Sequence, residues 1–175
     1  GFYRARIKDI ARDAGVADGT VYLYFRNKEA LLEAIFRSVM EDFLVRGRSR
    51  STGGNAPERL AALLELHLSG LGADRDLATV FQIELRHSAR LMESVGQGHL
   101  RDYFRLIAEI LEAGQSEGSI RADLDPRFAA RCIFGLVDET VTAWILHGAD
   151  RRLEGMTAPL LDFIFHGLLG SRSPE

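Results

Sequence analysis

Side chains suited to contacting nucleic acid cluster within the first 25 residues of the chain. Thr20 offers a hydroxyl and a methyl group, and Tyr22 and Tyr24 add phenolic hydroxyls on flat apolar rings. Such groups can hydrogen-bond to base edges or pack against them, whereas the amine of Lys8 is suited to a phosphate oxygen. Gly19 has no side chain, so the backbone there can approach a partner closely. The set predicts a surface that contacts DNA.

The elements that must position these side chains are two short helices joined by a tight turn, within residues 7–28. Gly15 follows the first helix directly, at a place where a chain often needs a positive φ. Val21 and Phe25 are four residues apart and are expected to face the first helix, with Val16 filling the gap between the two. The apolar face that predicts the first helix consists of Ile7, Ile10, Ala11 and Ala14. This is helix-turn-helix geometry, whose second helix enters the major groove of DNA.

The run DIARDAGVADGTVYLYFRNKEALL resembles the DNA-binding signature of the TetR family of bacterial repressors. The segments DIA, AGV, GTVYLYF and NKEALL stand in the family's order and spacing, and the resemblance covers about residues 1–45. It implies that Thr20, Tyr22 and Tyr24 contact DNA and that Lys28 contacts a phosphate. It also implies an all-α fold, with a small three-helix DNA-binding domain and a larger helical domain that binds a ligand and dimerises.

The chain departs from the family pattern at three places. A whole helix normally precedes a position such as Gly1, and the chain has no initiating Met, so we expect a truncated chain whose first helix is missing. Ala5 and Arg6 stand where the family often has Thr or Ser as a helix cap. Ala17 stands where Ser is frequent, so Asp18 is expected to cap the second helix.

Helical spacing continues along the chain and predicts an all-α protein of two domains. Residues 1–45 form the helix-turn-helix domain and a connecting helix, which Asn27 caps and which runs from about Lys28 to Val45. Residues 46–175 form the ligand-binding and dimerisation domain, which begins with a loop over RGRSRSTGGNAP, residues 46–57. Pro57 can open the next helix. Further helices are predicted over about residues 76–87, 98–115, 126–146 and 156–169.

Composition and charge exclude several classes of protein. The 175 residues are 46% hydrophobic, which suffices for a core and argues against a disordered chain. No apolar run approaches the roughly 18 residues that a membrane span needs. Residues 1–50 carry ten Lys and Arg against seven Asp and Glu, whereas residues 51–175 carry twelve against eighteen, so a basic end adjoins an acidic body. The single Cys132 is expected to be a buried, inert thiol, which fits a reducing cytoplasm.

The last two predicted helices are apolar on more than one face. The apolar positions are Phe128, Ile133, Phe134, Leu136, Val137, Val141, Trp144 and Ile145, then Leu160, Leu161, Phe163, Ile164, Phe165, Leu168 and Leu169. A helix with excess apolar surface needs a deep core position or a partner. The family resemblance implies a homodimer formed through these two helices. A two-fold protein reads a palindromic operator whose half-sites lie about 34–36 Å apart, or multiples of that.

A second stretch, about residues 80–147, resembles the FadR-type repressors of fatty-acid degradation, a branch of the same family. The segments FQIELR, DYFRLI, AGQSEG, DLDP, IFGLVDE and TAWIL carry this resemblance. It implies that the effector is a long-chain acyl-CoA, which releases the repressor from DNA. No other cofactor is implied.

An acyl chain needs an apolar tunnel between helices, and the head of CoA needs cations for its phosphates. Candidate ligand-binding residues with apolar side chains are Phe81, Leu85, Phe104, Ile107, Leu111, Phe134 and Val137. The candidate cations are Arg86, Arg90 and Arg105, with Arg101 beside them. The competing interpretation is ordinary core for the apolar residues and ion pairs for the arginines. Asp138 and Glu139, inside an apolar helix, could pair with arginines or meet a cationic drug.

The sequence gives little support to an enzyme. GQSEG at residues 114–118 matches the nucleophile-elbow pattern G-x-S-x-G, but that motif needs a preceding strand, and here a helical pattern precedes it. The five histidines are widely spread and form no H-x-x-x-H pair, so a metal site is unsupported. Besides an acyl-CoA-responsive repressor, two alternatives remain open: a multidrug-responsive regulator, and a helical ligand-binding protein without DNA binding.

Overall fold

The computed structural model of the protein describes residues 2–84, 98–148 and 152–166, and every regular element in these ranges is helical. The predicted all-α fold is therefore confirmed. The α-helices, numbered in chain order, are α1 Ile7–Asp13, α2 Asp18–Tyr24, α3 Lys28–Arg50, α4 Ala56–Ala73, α5 Arg75–Thr79, α6 His99–Glu117, α7 Pro126–His147 and α8 Thr157–His166. Helix α5 continues as a wider π-type turn over Val80–Glu84, and short 3-10 segments lie at Phe2–Arg4 and Leu153–Met156.

Helices α1 and α2 meet around a small apolar cluster. Ile7, Ala11 and Val21 are buried in it, and Phe25 packs against them, as their spacing predicts. Gly15 has a φ of 70°, so the predicted left-handed turn after α1 is confirmed. Val16 is 44% exposed, and the prediction that it fills the gap between the helices is wrong.

The helix caps in this region are only partly as predicted. The side chain of Asn27 accepts a hydrogen bond from the backbone N–H of Ala30 at 2.8 Å, which confirms it as the cap of α3. Asp18 is the first residue of α2 rather than its cap, and its carboxylate accepts from the N–H of Gly19 at 2.9 Å. The residue before it, Ala17, has no side-chain hydrogen bond to offer. An acidic group in the first turn still favours the helix through its dipole.

Helix α3 continues to Arg50, five residues beyond its predicted end, so the predicted loop over 46–57 is too long. Gly47 explains the extension, because it is buried against α4 and α6. A Cβ atom at Gly47 would lie 2.9 Å from Cδ1 of Leu63 and 3.4 Å from Cδ2 of Leu106. The chain turns after Ser51, and α4 then begins with a capping box in which Asn55 and Glu58 satisfy each other's backbone N–H groups.

The main core lies between α4, α6 and α7, with contributions from α3 and from Leu153. Its fully buried side chains include Leu60, Leu63, Leu64, Leu68, Ile107, Val137 and Val141. Arg75 connects the start of α5 to the end of α7. Its guanidinium lies 4.7 Å from the Trp144 ring, and it donates hydrogen bonds to the carbonyls of Trp144 and Ile145. Both carbonyls belong to the last turn of α7, where intrahelical partners run out, and that of Trp144 also accepts from the N–H of Gly148.

The GQSEG segment forms the C-terminal end of α6. Gly118 has a φ of 76°, and the N–H groups of Ser119 and Ile120 both donate to the carbonyl of Gly114. Ser116 is exposed, and its hydroxyl donates to the carbonyl of Glu112. Because the segment ends a helix and is not preceded by a strand, it has the geometry of a helix C-terminus and lacks that of a nucleophile elbow.

Cys132 lies on an outward face of α7, and its predicted burial is wrong. Helix α7 is apolar on more than one face, so the sequence pattern alone does not show which face Cys132 occupies. None of the described helices is long and apolar enough to span a membrane.

Candidate DNA-binding surface and ligand cavity

Helix α2 presents its polar and aromatic side chains to solvent. Tyr22 is 55% exposed and Tyr24 is 79% exposed, while Val21 is buried against α1. Gly19 and Thr20 are also exposed, and nothing lies within 4 Å of the position of a Cβ atom at Gly19. The four residues of α2 that are predicted to contact DNA are therefore all accessible to solvent. Leu23, which was not predicted, is 82% exposed on the same helix.

The cations around this surface differ in whether they form ion pairs with described residues of the protein. Arg6 and Arg12 both lie near the carboxylate of Asp9, at 3.8 Å and 3.3 Å. Lys8 is exposed and has no ion-pair partner among the residues that the structure describes. It is therefore better placed for a phosphate than the two arginines are.

Lys28 is engaged within the protein. Its ammonium donates hydrogen bonds to the carbonyls of Phe2 at 2.7 Å and Ala5 at 3.2 Å, and lies 4.4 Å from the centre of the Phe2 ring. The side chain thus joins the start of α3 to the segment before α1. This role was not predicted, and a phosphate contact by Lys28 stays a prediction.

A cavity of about 290 Å³ lies between α3, α4, α6, α7 and the turn after α5. Its lining residues are Phe36, Val39, Met40, Asp42, Phe43, Arg46, Leu66, His67, Gly70, Leu71, Leu77, Phe81, Gln82, Leu100, Tyr103, Phe134 and Asp138. Most of these side chains are apolar or aromatic. Such a wall suits an elongated apolar ligand, and the few polar groups would orient it.

The polar groups inside the cavity include one hydrogen-bonded pair, formed by the half-buried His67 and the buried Tyr103. His67 Nδ1 and the hydroxyl of Tyr103 lie 2.8 Å apart, and the Phe43 ring packs edge-on against both rings. Burial lowers the pKa of His67 to about 4, although the nearby Asp138 carboxylate acts in the opposite direction. Burial also raises the pKa of Tyr103. Both side chains are therefore neutral near pH 7.

Two of the predicted ligand-binding residues, Phe81 and Phe134, lie on the cavity wall. Phe104 is not on the wall, but its ring packs behind that of Phe134, with the two ring centres 5.0 Å apart. The predicted cation Arg105 is exposed and paired with Asp102. Ile107, Leu111 and Val137 are buried in the main core and are absent from the wall. Leu85, Arg86 and Arg90 lie outside the described residues, so their predicted roles stay predictions.

Sequence reasoning missed the half of the wall that α3 and α4 provide. The wall includes Val39, Met40 and Phe43 of α3 with Leu66 and Leu71 of α4, and none of these was predicted to bind a ligand. No separate signal in the sequence marks the positions on α3, because one apolar pattern along this helix serves both the helix-turn-helix and the cavity. Arg46 and Asp42, paired at 3.2 Å, lie on the same wall and carry the charges of α3 nearest to the cavity.

The described residues contain no cluster of three or more side chains that could hold a metal ion. The polar atoms of the cavity are a neutral imidazole, a phenol, an amide and a carboxylate, together with the Arg46–Asp42 pair. They suit hydrogen bonding to a ligand rather than nucleophilic attack, since no Ser, Cys or Lys is among the described residues that line the wall.

Sequence profiles of known families match both parts of the chain. Residues 1–35 match the bacterial regulatory proteins of the tetR family, and residues 36–167 match the C-terminal region of YsiA-like proteins. The fatty acid metabolism regulator protein of Bacillus subtilis (strain 168) is 36% identical over 169 residues, which is 96% of this chain and 87% of the relative. The chain belongs to the TetR family. As a member of this family of regulatory proteins, it is a transcriptional regulator and not an enzyme.

Solved structures agree with this assignment. The transcriptional regulator FadR from Bacillus subtilis, in complex with stearoyl-CoA, is 36% identical and superposes with a TM-score of 0.91, over 97% of this chain and 91% of that one. The fatty acid degradation regulator FadR from Bacillus halodurans is also 36% identical, with a TM-score of 0.90 and the same coverage. Similarity at this level extends to the cavity-bearing domain of this TetR-family chain.

Proposed function

We propose that this TetR-family protein is a DNA-binding repressor of fatty-acid metabolism genes that a long-chain acyl-CoA releases from its operator. The observation that carries the proposal is the apolar cavity between α3, α4, α6 and α7. It occurs in a chain that superposes on a relative solved with stearoyl-CoA. In this proposal the acyl-CoA is an effector and the protein needs no cofactor.

The DNA-binding half of the proposal is supported by the open face of α2. Thr20, Tyr22 and Tyr24 would meet base edges in the major groove, Gly19 would let the backbone come close to the DNA, and Lys8 would meet a phosphate. Lys28 remains a proposed phosphate contact beside its structural role. Because the chromosome is the partner, the proposed location is the cytoplasm.

The proposed dimer is supported by exposed aromatic and aliphatic side chains on α7 and α8. Phe128 is 61% exposed and Leu146 is 58% exposed on α7, and Phe163 and Phe165 are exposed on α8. Burying these faces against a second copy would remove apolar surface from water. A two-fold dimer of this kind would read a palindromic operator.

A thermal-shift titration tests the effector. The purified protein is mixed with palmitoyl-CoA, free CoA, palmitate or a cationic dye. A ligand at about 100 times its Kd should add about 2.7 kcal/mol of stability. A shift with palmitoyl-CoA that neither CoA nor palmitate produces supports the proposal, and release of a labelled operator by the same ligand completes it. The absence of any shift with palmitoyl-CoA would contradict the proposal.

Asp138 supports a second candidate function, a multidrug-responsive regulator, because its carboxylate lies on the cavity wall where a cationic drug could meet it. A shift with the dye and none with the thioester would favour this candidate. A ligand-binding protein without DNA binding is distinguished separately. It would lack the steep salt dependence that phosphate contacts give to operator binding.

A further inference from the structure

The His67–Tyr103 pair is unusual because it places hydrogen-bonding atoms in the middle of an apolar cavity. The two side chains come from different helices, α4 and α6, and both line the cavity. Tyr103 is 1% exposed, and the rings of Phe43 and Phe134 pack edge-on against it at 5.0 Å and 5.9 Å. The hydroxyl of Tyr103 therefore has a fixed position at the level of Phe43.

The pair does not use up its own hydrogen-bonding capacity. A neutral imidazole has one donor and one acceptor nitrogen, and a phenol can both donate and accept. If Tyr103 donates to Nδ1, the Nε2–H of His67 is left as a donor; in the other tautomer the hydroxyl of Tyr103 is left. No protein partner for Nε2 is found in the described part of the chain, and His67 as a whole is only half-buried.

The unused donor lies close to the charged end of the cavity. Phe43, which packs against both members of the pair, precedes Arg46 by three residues on α3, a rise of about 4.5 Å along the helix. The polar atoms that the acyl group of an acyl-CoA can bring into an apolar cavity are its thioester carbonyl and any hydroxyl on the chain, and one of these would meet the donor of the pair. A plain alkyl segment there would leave the donor unsatisfied, which is costly in an apolar site.

We propose that the His67–Tyr103 pair selects the effector by hydrogen-bonding an oxygen in the first few atoms of its acyl group. That oxygen is either the thioester carbonyl or a hydroxyl on the chain near it. The proposal rests on the proposed function, because it names which part of an acyl-CoA the cavity recognises. The pair is a specificity determinant inside the cavity, separate from any contact with the phosphates of CoA.

Three ligands of equal chain length separate the two sources of oxygen. Isothermal titration compares palmitoyl-CoA, 3-hydroxypalmitoyl-CoA and S-hexadecyl-CoA, a thioether that lacks the carbonyl. If the carbonyl is bound, palmitoyl-CoA should bind the wild-type protein about threefold to tenfold more tightly than the thioether, the range that one net hydrogen bond provides. If the chain hydroxyl is bound, 3-hydroxypalmitoyl-CoA should exceed palmitoyl-CoA by a similar factor.

His67→Leu combined with Tyr103→Phe should abolish whichever preference the wild type shows, and removing both partners leaves no polar group unsatisfied. Tyr103→Phe alone should abolish the preference if the hydroxyl of Tyr103 is the free donor, while the aromatic ring still fills its place. Met40→Leu is the control, because it changes an apolar part of the wall and should alter the affinity for all three ligands alike.

Two failures are distinguishable. Equal and tight binding of all three ligands by the wild type would overturn this inference and leave the proposed function standing. A preference that persists unchanged in Tyr103→Phe and in the double variant would also overturn it. Binding of none of the three would overturn the proposed function, and the inference with it.

Discussion

Tyr22 is an exposed side chain on α2 whose backbone is held in place by its buried neighbour, Val21. It is 55% exposed and directly follows Val21, which is buried against α1. We predict that Tyr22→Ala weakens specific operator binding by about 1–3 kcal/mol, because it removes a contact with a base edge. Fluorescence anisotropy with operator and scrambled duplexes measures the change. Tyr22→Phe separates the hydroxyl from the ring, and an unchanged affinity in Tyr22→Ala would remove Tyr22 from the surface.

The two lysines near this surface should behave differently. Lys8 is exposed, so Lys8→Ala is predicted to weaken the binding of operator and scrambled DNA alike. It should reduce the salt slope of log K by about 1, with no change in thermal stability.

Lys28→Met should lower the free energy of unfolding by about 1–3 kcal/mol as well as weaken DNA binding, because its hydrogen bonds to the carbonyls of Phe2 and Ala5 are lost. Salt titrations and thermal melts of both variants separate the two roles. A full salt slope in Lys8→Ala would exclude Lys8 as a phosphate contact.

Acid should destabilise the protein through His67. Burial lowers the pKa of its imidazole from 6.5 to about 4, so between these values the unfolded chain binds a proton that the folded chain does not. Stability therefore rises with pH across this window and is complete above it. We predict a loss of up to about 3 kcal/mol between pH 7 and pH 4, measured by urea unfolding. His67→Leu should lose less over the same range, and an identical pH dependence in wild type and variant would contradict the prediction.

At the scale of single residues, the sequence predicted the exposed face of α2 better than the cavity. Helical spacing assigns Val21 and Phe25 to the interior of the helix-turn-helix, and the remaining positions must then face outward. The cavity is different, because wall and core residues are equally apolar. Phe134 lines the cavity while Val137, three residues later, is buried in the core, and only the three-dimensional arrangement of four helices distinguishes them.

Among the elements, the end of α6 depends on the absence of a side chain at Gly114. A Cβ atom there would lie 2.6 Å from Cβ of Ala56 and would also collide with Ile120. We predict that Gly114→Ala destabilises the protein by about 1–3 kcal/mol through overpacking, as measured by thermal and urea unfolding. Gly53→Ala is the control, since nothing lies within 4 Å of the added methyl group. Equal stability of the two variants would contradict the close approach of α6 and α4.

Helix α3 shows why element ends are hard to read from sequence. Its last five residues, RGRSR, have the composition of a loop, and the sequence accordingly predicts one. Their helical conformation results from tertiary contact, because Gly47 allows Leu63 and Leu106 to approach the backbone closely. Arg48 adds an ion pair with Glu109 of α6 at 3.5 Å. Such contacts override local propensity and leave no mark in a local pattern.

For the whole molecule, the proposed dimer makes a direct prediction. Phe128→Asp combined with Leu146→Asp places two charges on the exposed apolar face of α7 and should convert the dimer to a monomer at micromolar concentration. Light scattering coupled to gel filtration measures the mass. Val45→Asp is the matched control, because it adds a charge to a side chain that is 68% exposed on α3. A dimer that survives the double substitution would place the interface elsewhere.

The overall architecture was predictable because two independent signals agreed. Helical periodicity predicted an all-α chain, and the motifs around Gly15 and Tyr22 indicated the family. The division of the chain at residue 45 stays a prediction, and it falls within the continuous helix α3. The sequence did not indicate that α3 would both carry the helix-turn-helix and form a wall of the cavity, since a single apolar pattern serves both purposes.

One apolar cluster contains residues of the cavity wall together with residues of the N-terminal part of the chain. Phe36 and Phe81 line the cavity with their rings 5.0 Å apart, and Phe2 and Leu32, from the N-terminal part of the chain, belong to the same cluster. In the proposed function this shared cluster couples effector and operator, and such coupling is mutual. The factor by which acyl-CoA weakens operator binding is also the factor by which the operator weakens acyl-CoA binding. A molecule bound to its operator would therefore bind its effector more weakly than the same molecule free in solution, and a higher effector concentration would be needed to occupy it.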